Sequence, residues 1–391
     1  MDYAFSQNIK SVSGSAVREI LKLLVNPEII SFAGGLPAAE CLPTAIVAQI
    51  SGELLSSVEG KTILQYGATE GLNSFRSELI KYASTQGVKA APDELAVISG
   101  GQQGIDLFIK AFCNRGDTIL VEDPTFLAFL QTASSYGVRC IGVKSDDKGL
   151  DIVDLDAKIK KHKPKALYVV PTFSNPTGKT YTVERRKAIC EVTAKYGIMV
   201  LEDDPYSRLR WEGEKVAPLK SFDKVGNVVY VTSFSKLISP GLRVGYAVGE
   251  ESVIRKMVIG KQCSDLHTSN LSQAIVREFL ARDLLEAHLK TAIPVYQSRA
   301  KAMLDCLAKY MPKTFRYTKP EGGLFIWGEF TDNTNTVERL KQAIAKNVAY
   351  IQGQVFYADG NGRNTLRLNF SNADPEKIEW GVKALGEVFY G

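Results

Sequence analysis

Two basic side chains stand close together near the middle of the chain, between segments that are both apolar. In the stretch VVYVTSFSKLISPGLRVGYAVG, residues 228–249, Lys236 follows the first apolar run and Arg243 begins the second. A sheltered amine can attack a carbonyl carbon or take up a proton, and a guanidinium is suited to bind phosphate or carboxylate. By itself, however, a lysine after a strand is usually solvated, and an arginine there often pairs with a surface acid. The glycines of GLRVG favour close packing around Arg243.

Other polar residues follow other short apolar runs in this part of the chain. They are Gly100, Gly101 and Gln102 after LAVIS (95–99), Asn175 after ALYVVP (166–171), Asp203 and Tyr206 at and after the end of IMVLED (198–203), and Ser233 and Ser235 beside Lys236. Each has an ordinary interpretation, because glycine-rich turns cap helices, NPTG forms a proline turn and an aspartate often ends a strand. Ligands bind beyond the carboxyl ends of the strands in open parallel sheets. The set therefore predicts one crevice that combines helix amides, a carboxylate, a phenol and an amine.

The apolar runs themselves predict the sheet that positions these residues. Six of them lie between residues 95 and 249, and most are continuous rather than alternating, as strands buried on both faces should be. Stretches with helical periodicity, such as QQGIDLFIKAFC and TVERRKAICEVTAKYG, separate most of the runs. This alternation favours an α/β domain on a mainly parallel sheet. The connection SKLISPGL is too short for a helical crossover, so we expect one antiparallel strand after it.

The pattern changes after about residue 285 and predicts a second domain. A long amphipathic stretch leads into FRYTKPEGGLFIWGEF and later NTLRLNFS, which indicates a few strands flanked by helices. Near the other end, apolar residues at helical spacing predict a helix over residues 15–24. We predict an N-terminal arm and helix (1–50) that belongs to the small domain, a large domain (51–284) and a C-terminal small domain (285–391).

Composition and charge exclude several classes of protein. The net charge of +5, from 48 basic and 43 acidic residues, is spread without long blocks and does not indicate a nucleic-acid partner. The six cysteines are far apart and form no CxxC, so reduced thiols are the better interpretation, and no metal site is predicted. No apolar run approaches membrane length and no signal pattern opens the chain. We therefore expect a cytoplasmic protein with no membrane partner.

Four motifs in a fixed order resemble a known family. NPTG, EDDPY, SFSK and PGLRVG are similar to the corresponding motifs of the fold-type I pyridoxal-phosphate aminotransferases of class I and II, and the resemblance covers essentially the whole chain. SFAGGLP, LQYGATEG, SGGQQ and DLHT resemble the branch that contains 2-aminoadipate and kynurenine or aromatic aminotransferases. The resemblance implies a large domain with a mainly parallel seven-stranded sheet between helices. It also implies a smaller α+β domain from the C-terminal part and the N-terminal segment, and pyridoxal 5'-phosphate as the cofactor.

The resemblance assigns a role to each residue of the predicted crevice. Lys236 would form a Schiff base with the cofactor and then carry a proton, and Asp203 would keep the pyridine nitrogen protonated. Asn175 and Tyr206 would hydrogen-bond the 3-oxygen of the ring. The residues implied at the phosphate are Gly100, Gly101, Gln102, Ser233, Ser235 and Arg243.

Two positions depart from the pattern of many relatives. Phe126 in EDPTF stands where many of them carry a tyrosine that stacks on the cofactor ring. Stacking should survive there, but the phenolic hydrogen bond is lost. Gly101 stands where many relatives have a serine, so one hydroxyl to the phosphate is missing while the amide remains. Neither departure changes the expected cofactor.

Substrate and partner contacts are implied by the same resemblance. Arg367 in LRLNFS is similar to the arginine that grips the substrate α-carboxylate, supported by Asn175 and the Gly35 amide. Tyr66 would reach the cofactor phosphate of a neighbouring subunit, which implies a homodimer with shared active sites. Arg18 in SAVREILKLL resembles an arginine on an N-terminal helix that meets the distal carboxylate of acidic substrates. From the residue pattern alone, Arg367 fits either a buried or a solvated position, and a solvated surface is the better interpretation for Arg18.

Three functions stay open at this point. The leading hypothesis is an aminotransferase that moves the amino group of an aromatic, aliphatic or 2-aminoadipate-like L-amino acid to a 2-oxo acid, 2-oxoglutarate being the expected acceptor, in a ping-pong cycle. A C–S β-lyase would use nearly identical residues, since a fold does not fix a reaction. Similar domains also sense the cofactor in bacterial regulators behind a DNA-binding module. The chain begins almost directly at the aminotransferase-like region, which disfavours that third hypothesis.

Overall fold

The computed structural model of the protein describes residues 3–10, 12, 14 and 28–390, so the predicted helix over residues 15–24 lies outside the described residues. The helices among the described residues are α1 (Gln7–Lys10), α2 (Thr44–Ser56), α3 (Gly60–Ile63), α4 (Asn73–Thr85), α5 (Gly101–Phe112), α6 (Leu127–Ser135), α7 (Ile152–His162), α8 (Val183–Tyr196), α9 (Glu251–Gln262), α10 (Asn270–Ala281), α11 (Leu284–Tyr310), α12 (Thr336–Ala345) and α13 (Pro375–Tyr390). The strands are β1 (Ile30–Ser31), β2 (Leu95–Ile98), β3 (Thr118–Glu122), β4 (Arg139–Val143), β5 (Ser145–Asp146), β6 (Gly149–Leu150), β7 (Ala166–Val169), β8 (Met199–Asp203), β9 (Val228–Ser233), β10 (Gly245–Val248), β11 (Phe315–Tyr317), β12 (Phe325–Phe330), β13 (Val348–Ala349), β14 (Ile351–Gln352) and β15 (Thr365–Asn369).

A seven-stranded sheet forms the centre of the molecule, with the order β2-β10-β9-β8-β7-β3-β4. The five strands from β9 to β4 in this order are parallel to one another. The strand β10 runs antiparallel to both β2 and β9, with Gly245 opposite Ile98 on one side and Ser233 on the other. Both predictions, the mainly parallel sheet and the antiparallel strand after the short connection, are confirmed.

The strands are apolar on both faces because each face is covered by helices. Along β3, Ile119 and Val121 belong to one apolar cluster, whereas Leu120 between them belongs to a second one. The second cluster also contains Leu155 of α7 and Ile189 of α8. Two covered faces explain why the strands have continuous rather than alternating apolar sequences.

A smaller antiparallel sheet, ordered β11-β12-β15-β14, forms in the C-terminal part of the chain. The helices α11 and α13 pack against each other beside it. The strand β1 pairs in parallel with β13, Ile30 opposite Val348, so the segment that precedes α2 joins this part of the molecule. The predicted boundary at residue 50 falls inside α2, which contacts α10, and the one at residue 285 falls at the start of α11. The exact domain boundaries stay a prediction.

Two features are absent among the described residues, a membrane-spanning helix and a cluster of metal-binding side chains. None of their helices combines the length and the apolar character that a bilayer span requires. Among the same residues, no group of three or more histidine, cysteine, aspartate or glutamate side chains has an arrangement that would hold a metal ion.

Candidate active site

A crevice of about 190 Å³ opens at the carboxyl ends of the central strands. The residues predicted from the sequence that line it are Gly101, Gln102, Phe126, Asn175, Asp203, Tyr206, Ser233, Ser235, Lys236 and Arg243. They come from several distant segments, and the parallel sheet brings them together because it places its strand ends along one edge. Gly35, Gly100 and Arg367 contact members of this group, as described below.

Lys236 lies three residues beyond the end of β9 and points into the crevice. Its Nζ donates a hydrogen bond of 2.6 Å to the carbonyl oxygen of Gly35. Burial, followed by the positive charges of Arg367 and Arg243, lowers the pKa of Lys236 to about 8. A lysine amine with this pKa gives up its proton at mildly alkaline pH and is then a nucleophile and a base.

Asp203 is the last residue of β8 and is buried in the floor of the crevice. Burial raises the pKa of its carboxyl to about 7, and the neighbouring Asp204 adds to this, while the hydroxyl of Tyr168 opposes it by donating a hydrogen bond of 2.9 Å to Oδ2. The Tyr168 ring is itself fixed by stacking on Phe129, with ring centroids 3.8 Å apart. A carboxylate in such a place is stabilised most by a cationic group in the crevice.

Arg367 lies on β15 and is only 3% exposed. Its Nη1 donates to Asn175 Oδ1 over 2.7 Å, and its Nη2 donates to the carbonyl oxygen of Ala33. The guanidinium lies over the rings of Phe325 and Phe356, with centroids at 4.3 and 5.1 Å. No acidic side chain of the described residues forms an ion pair with Arg367, and burial lowers its pKa to about 10. The result is a buried cation held in place by neutral groups.

The opposite end of the crevice combines an arginine with the start of a helix. The Arg243 Nη2 donates a hydrogen bond of 3.0 Å to the carbonyl oxygen of Ser99. Gly100 has φ +83°, and a Cβ there would lie 2.7 Å from Arg243 Nη2, so this position requires glycine. The helix α5 begins at Gly101, and the amides of a helix N-terminus favour anions. This end of the crevice is therefore suited to bind a phosphate.

At Gly101, where the family pattern favours a serine, the structure leaves room for a side chain. A Cβ there would lie 3.7 Å from Asp203 Oδ1, which is an ordinary contact. The serine that the family pattern favours would fit, so nothing in the structure requires glycine at residue 101. Phe126, the other departure, precedes α6 and lines the crevice with its ring.

Two predicted site residues are not part of this group in the structure. Tyr66 is 78% exposed and does not line the crevice; its ring meets the edge of His267, with centroids 5.9 Å apart. Arg18 lies outside the described residues. The contacts proposed for both residues stay predictions.

Several contacts at the site could not be identified from the sequence. Tyr168 lies inside a continuous apolar run, where an aromatic residue is usually part of the core. Phe325 packs edge-on against Tyr206, with ring centroids 5.7 Å apart, and also lies under the guanidinium of Arg367. Its sequence context likewise predicts only a core residue. The carbonyl oxygen of Ala33 belongs to the backbone, so no residue type in the sequence indicates its contact with Arg367.

The groups that converge here fit pyridoxal phosphate. The cofactor needs an amine for its aldehyde, a carboxylate for its ring nitrogen, a face to stack on, and an arginine with helix amides for its phosphate. The crevice contains Lys236, Asp203, Phe126 and Arg243 in these positions. The buried Asp203 carboxylate accepts a hydrogen bond from the neutral hydroxyl of Tyr168, and no basic side chain of the described residues is paired with it.

Comparison with known proteins gives matches over the whole chain. A family model described as aminotransferase class I and II matches residues 27–385. An aromatic-amino-acid aminotransferase of Thermococcus litoralis is 38% identical, and the match covers 99% of this chain and 95% of the relative. The crystal structure of Pyrococcus horikoshii kynurenine aminotransferase with PMP and kynurenine aligns with a TM-score of 0.95 at 39% identity, over 99% of this chain and 96% of the other. The structure of LysN, the α-aminoadipate aminotransferase of Thermus thermophilus, with N-(5'-phosphopyridoxyl)-L-leucine aligns with a TM-score of 0.91 at 35% identity, over 99% and 97%.

Proposed function

Because this chain belongs to the class I and II aminotransferases and transfers amino groups with pyridoxal phosphate, we propose that its donors are aromatic, aliphatic and 2-aminoadipate-like L-amino acids. The proposed acceptor is a 2-oxo acid, namely 2-oxoglutarate, in a ping-pong cycle of two half-reactions. The names of the relatives support this range, since they include an aromatic-amino-acid aminotransferase and an α-aminoadipate aminotransferase whose structure holds a leucine adduct.

The observation that carries the proposal is the uncompensated charge of Arg367. A buried guanidinium without an acidic partner is costly, and an anion that enters the crevice removes this cost. Every α-amino acid and every 2-oxo acid carries one carboxylate beside the reacting carbon. A carboxylate bound at Arg367 and Asn175 would place that carbon on the side of the crevice that holds Lys236, since Lys236 bonds to the Gly35 carbonyl and both Gly35 and Arg367 lie against the ring of Phe325.

The residues of the crevice divide the chemistry between them. When bound, pyridoxal phosphate supplies an electron sink for the negative charge that develops at the substrate Cα. Lys236 Nζ would hold the cofactor and move the Cα proton, and its pKa of about 8 makes the neutral amine accessible. Asp203 would hold a proton at the ring nitrogen. Asn175 and Tyr206 would donate hydrogen bonds to the 3-oxygen of the ring, and Phe126 would stack on its face. The groups assigned to the phosphate are Ser233, Ser235, Arg243 and the amides of Gly100, Gly101 and Gln102.

A product assay tests the reaction against the β-lyase alternative. The enzyme is incubated with an amino acid and 2-oxoglutarate, and glutamate is measured beside pyruvate and ammonia. Formation of glutamate together with the matching 2-oxo acid supports the proposal. Pyruvate and ammonia from a sulfur amino acid, with no glutamate, would contradict it.

Arg367→Ala should weaken all substrates alike. The variant loses a buried, charge-assisted contact to the carboxylate that all substrates share, so kcat/KM should fall by roughly 100-fold for aromatic, aliphatic and acidic donors. A panel of donors with 2-oxoglutarate measures this. Arg363→Ala, which changes an exposed arginine two residues before the same strand, serves as the control and should be near normal. A loss confined to one class of donor would place the carboxylate site elsewhere.

The same panel tests the role proposed for Arg18. If its guanidinium meets the distal carboxylate of acidic substrates, Arg18→Ala should lose roughly tenfold in kcat/KM for glutamate and 2-aminoadipate, the size expected for one hydrogen bond to a charged group. Aromatic and aliphatic donors should change little. Equal losses for both classes, or none, would remove Arg18 from the site.

We also propose a homodimer in which Tyr66 completes the phosphate site of the partner subunit. Tyr66 is exposed although its ring is apolar, and Val58 and Leu64, which precede it closely in the sequence, are exposed as well. Several large apolar side chains exposed along one segment favour a surface that is covered in an assembly. Sedimentation equilibrium should give twice the chain mass of 42.9 kDa, and a monomeric mass would contradict the proposal.

A further inference from the structure

A buried lysine behind the proposed phosphate site has no role in the mechanism above. Lys261, in the last turn of α9, has an exposure of 0%. Its Nζ donates to both carboxylate oxygens of Asp265, at 2.8 and 3.0 Å, and to Gln103 Oε1 at 2.7 Å. A more distant contact of 3.4 Å joins it to Ser99 Oγ. Lysine is almost never fully buried without such partners, so the network must serve to keep the charge at this place.

The partners of Lys261 meet at Ser99, and each polar atom of Ser99 is used. Its amide donates to Gln103 Oε1 over 2.8 Å, and its Oγ donates to Asp265 Oδ2 over 2.7 Å. Thr268 Oγ1 lies 3.0 Å from the same Oγ. The remaining group, the carbonyl oxygen, accepts the hydrogen bond from Arg243 Nη2. The orientation of Ser99, and with it the position of the Arg243 guanidinium, is therefore set by the groups around Lys261.

Ser99 also precedes the turn that opens α5. Gly100 approaches Arg243 so closely that no side chain fits between them. A rotation of the Ser99 peptide would therefore move both the arginine and the first amides of the helix, which are the two halves of the proposed phosphate site.

We propose that Lys261 is a positioning residue for the phosphate group of the cofactor, and that it acts through Gln103, Asp265 and Ser99 on Arg243. The proposal rests on the proposed function, which assigns the phosphate to Arg243 and the start of α5. Lys261 does not itself reach the crevice, because Ser99 and Gln103 lie between its ammonium and Arg243. The effect of removing its charge should accordingly depend on the phosphate and not on the ring of the cofactor.

The test compares pyridoxal phosphate with pyridoxal, which lacks the phosphate. The full-length protein is dialysed against a series of concentrations of either compound, and occupancy is measured by visible absorbance. Lys261→Met replaces the lysine by an apolar side chain of similar length and so removes the ammonium group. Its Kd for pyridoxal phosphate should rise roughly tenfold, the lower end of what loss of an outer-shell partner costs, while its Kd for pyridoxal should stay unchanged. The control is Lys256→Met on the exposed side of the same helix, which should bind both compounds like the parent.

The other outcomes separate the inference from the proposed function. Equal weakening of both compounds by Lys261→Met, or no weakening of either, would overturn the positioning role. Arg243→Ala, measured in parallel, should itself show a phosphate-dependent loss. If it does not, the proposed phosphate site is wrong; if it does and Lys261→Met does not, only the inference fails. Asp265→Asn, at the more exposed end of the network, provides a second variant should Lys261→Met not fold, and it should show the same phosphate dependence to a smaller extent.

Discussion

Lys236→Ala should lose nearly all amino-group transfer. Among the described residues that line the crevice, Lys236 is the only one whose side chain carries an amine, and the charges of Arg243 and Arg367 both act on it. In the proposed mechanism, removing it takes away both the covalent attachment of the cofactor and the group that moves the Cα proton. Because general acid–base catalysis alone contributes roughly 100- to 10,000-fold, turnover should fall by at least that factor.

Two measurements check this expectation. Stopped assays of glutamate formation give the turnover, and a visible spectrum shows whether the yellow band of the lysine-bound cofactor is lost. Lys256→Ala, which changes an exposed lysine far from the crevice, serves as the matched control and should keep both activity and colour. A Lys236→Ala protein that stays yellow and active would contradict the assignment of Lys236.

The sequence was sufficient to predict the central sheet because burial on both faces leaves a direct trace in the residues. Runs such as TILVE and ALYVVP are continuous since neighbours like Ile119 and Leu120 enter different apolar clusters. The antiparallel strand that follows Pro240 was equally predictable, because the connection before it is too short to contain a crossover helix. The family resemblance drawn from four motifs is confirmed by the comparisons.

The crevice was predictable to the same extent and for a related reason. Asn175, Asp203 and Lys236 stand at or just beyond strand ends, and a parallel sheet places such ends side by side. Contacts that depend on the second sheet were not predictable. The hydrogen bond from Arg367 to Ala33 joins residues 334 positions apart and depends on the register of β15 against β12 and β14. Alternation alone could not decide whether Arg367 faces solvent or protein.

Residues that act through other residues left no signal in the sequence. Tyr168 supports Asp203 from within a strand whose pattern is explained by burial alone. Lys261 is one of two lysines in its helix, and only its burial and its bonds to Asp265 and Gln103 distinguish it from Lys256. Such positions depend on how α9 packs against α5, which a single sequence does not reveal.

The neighbouring carboxylates Asp203 and Asp204 should respond differently to the same substitution. Asp203→Asn keeps the size of the side chain and removes the charge that, in the proposed mechanism, holds a proton at the ring nitrogen. Loss of one preorganised electrostatic contact of this kind typically costs roughly 100- to 1,000-fold in kcat, so we expect a fall of that order with the cofactor still bound. Asp204 is equally buried but accepts hydrogen bonds from Tyr230 and Ser207 and does not line the crevice. Asp204→Asn should therefore keep most of its kcat, and equal losses in the two variants would contradict the role of Asp203.

The stability of the cofactor-free protein provides a second test of Asp203, in which the substitution that lowers kcat should stabilise the fold. Burial raises the pKa of this carboxyl from 3.8 to about 7 in the folded protein. A folded-state pKa above the unfolded one means that the ionised group opposes folding, progressively between pH 4 and 7 and fully above pH 7. With the cofactor removed, Asp203→Asn should thus have a higher free energy of unfolding than the parent at pH 8, and the difference should shrink as the pH falls towards 4. Denaturant unfolding at the two pH values measures it. If the cofactor-free variant is less stable than the parent at pH 8, the Asp203 carboxylate stabilises the fold. If the variant is more stable and nearly inactive, the buried charge of Asp203 serves the ring nitrogen of the cofactor.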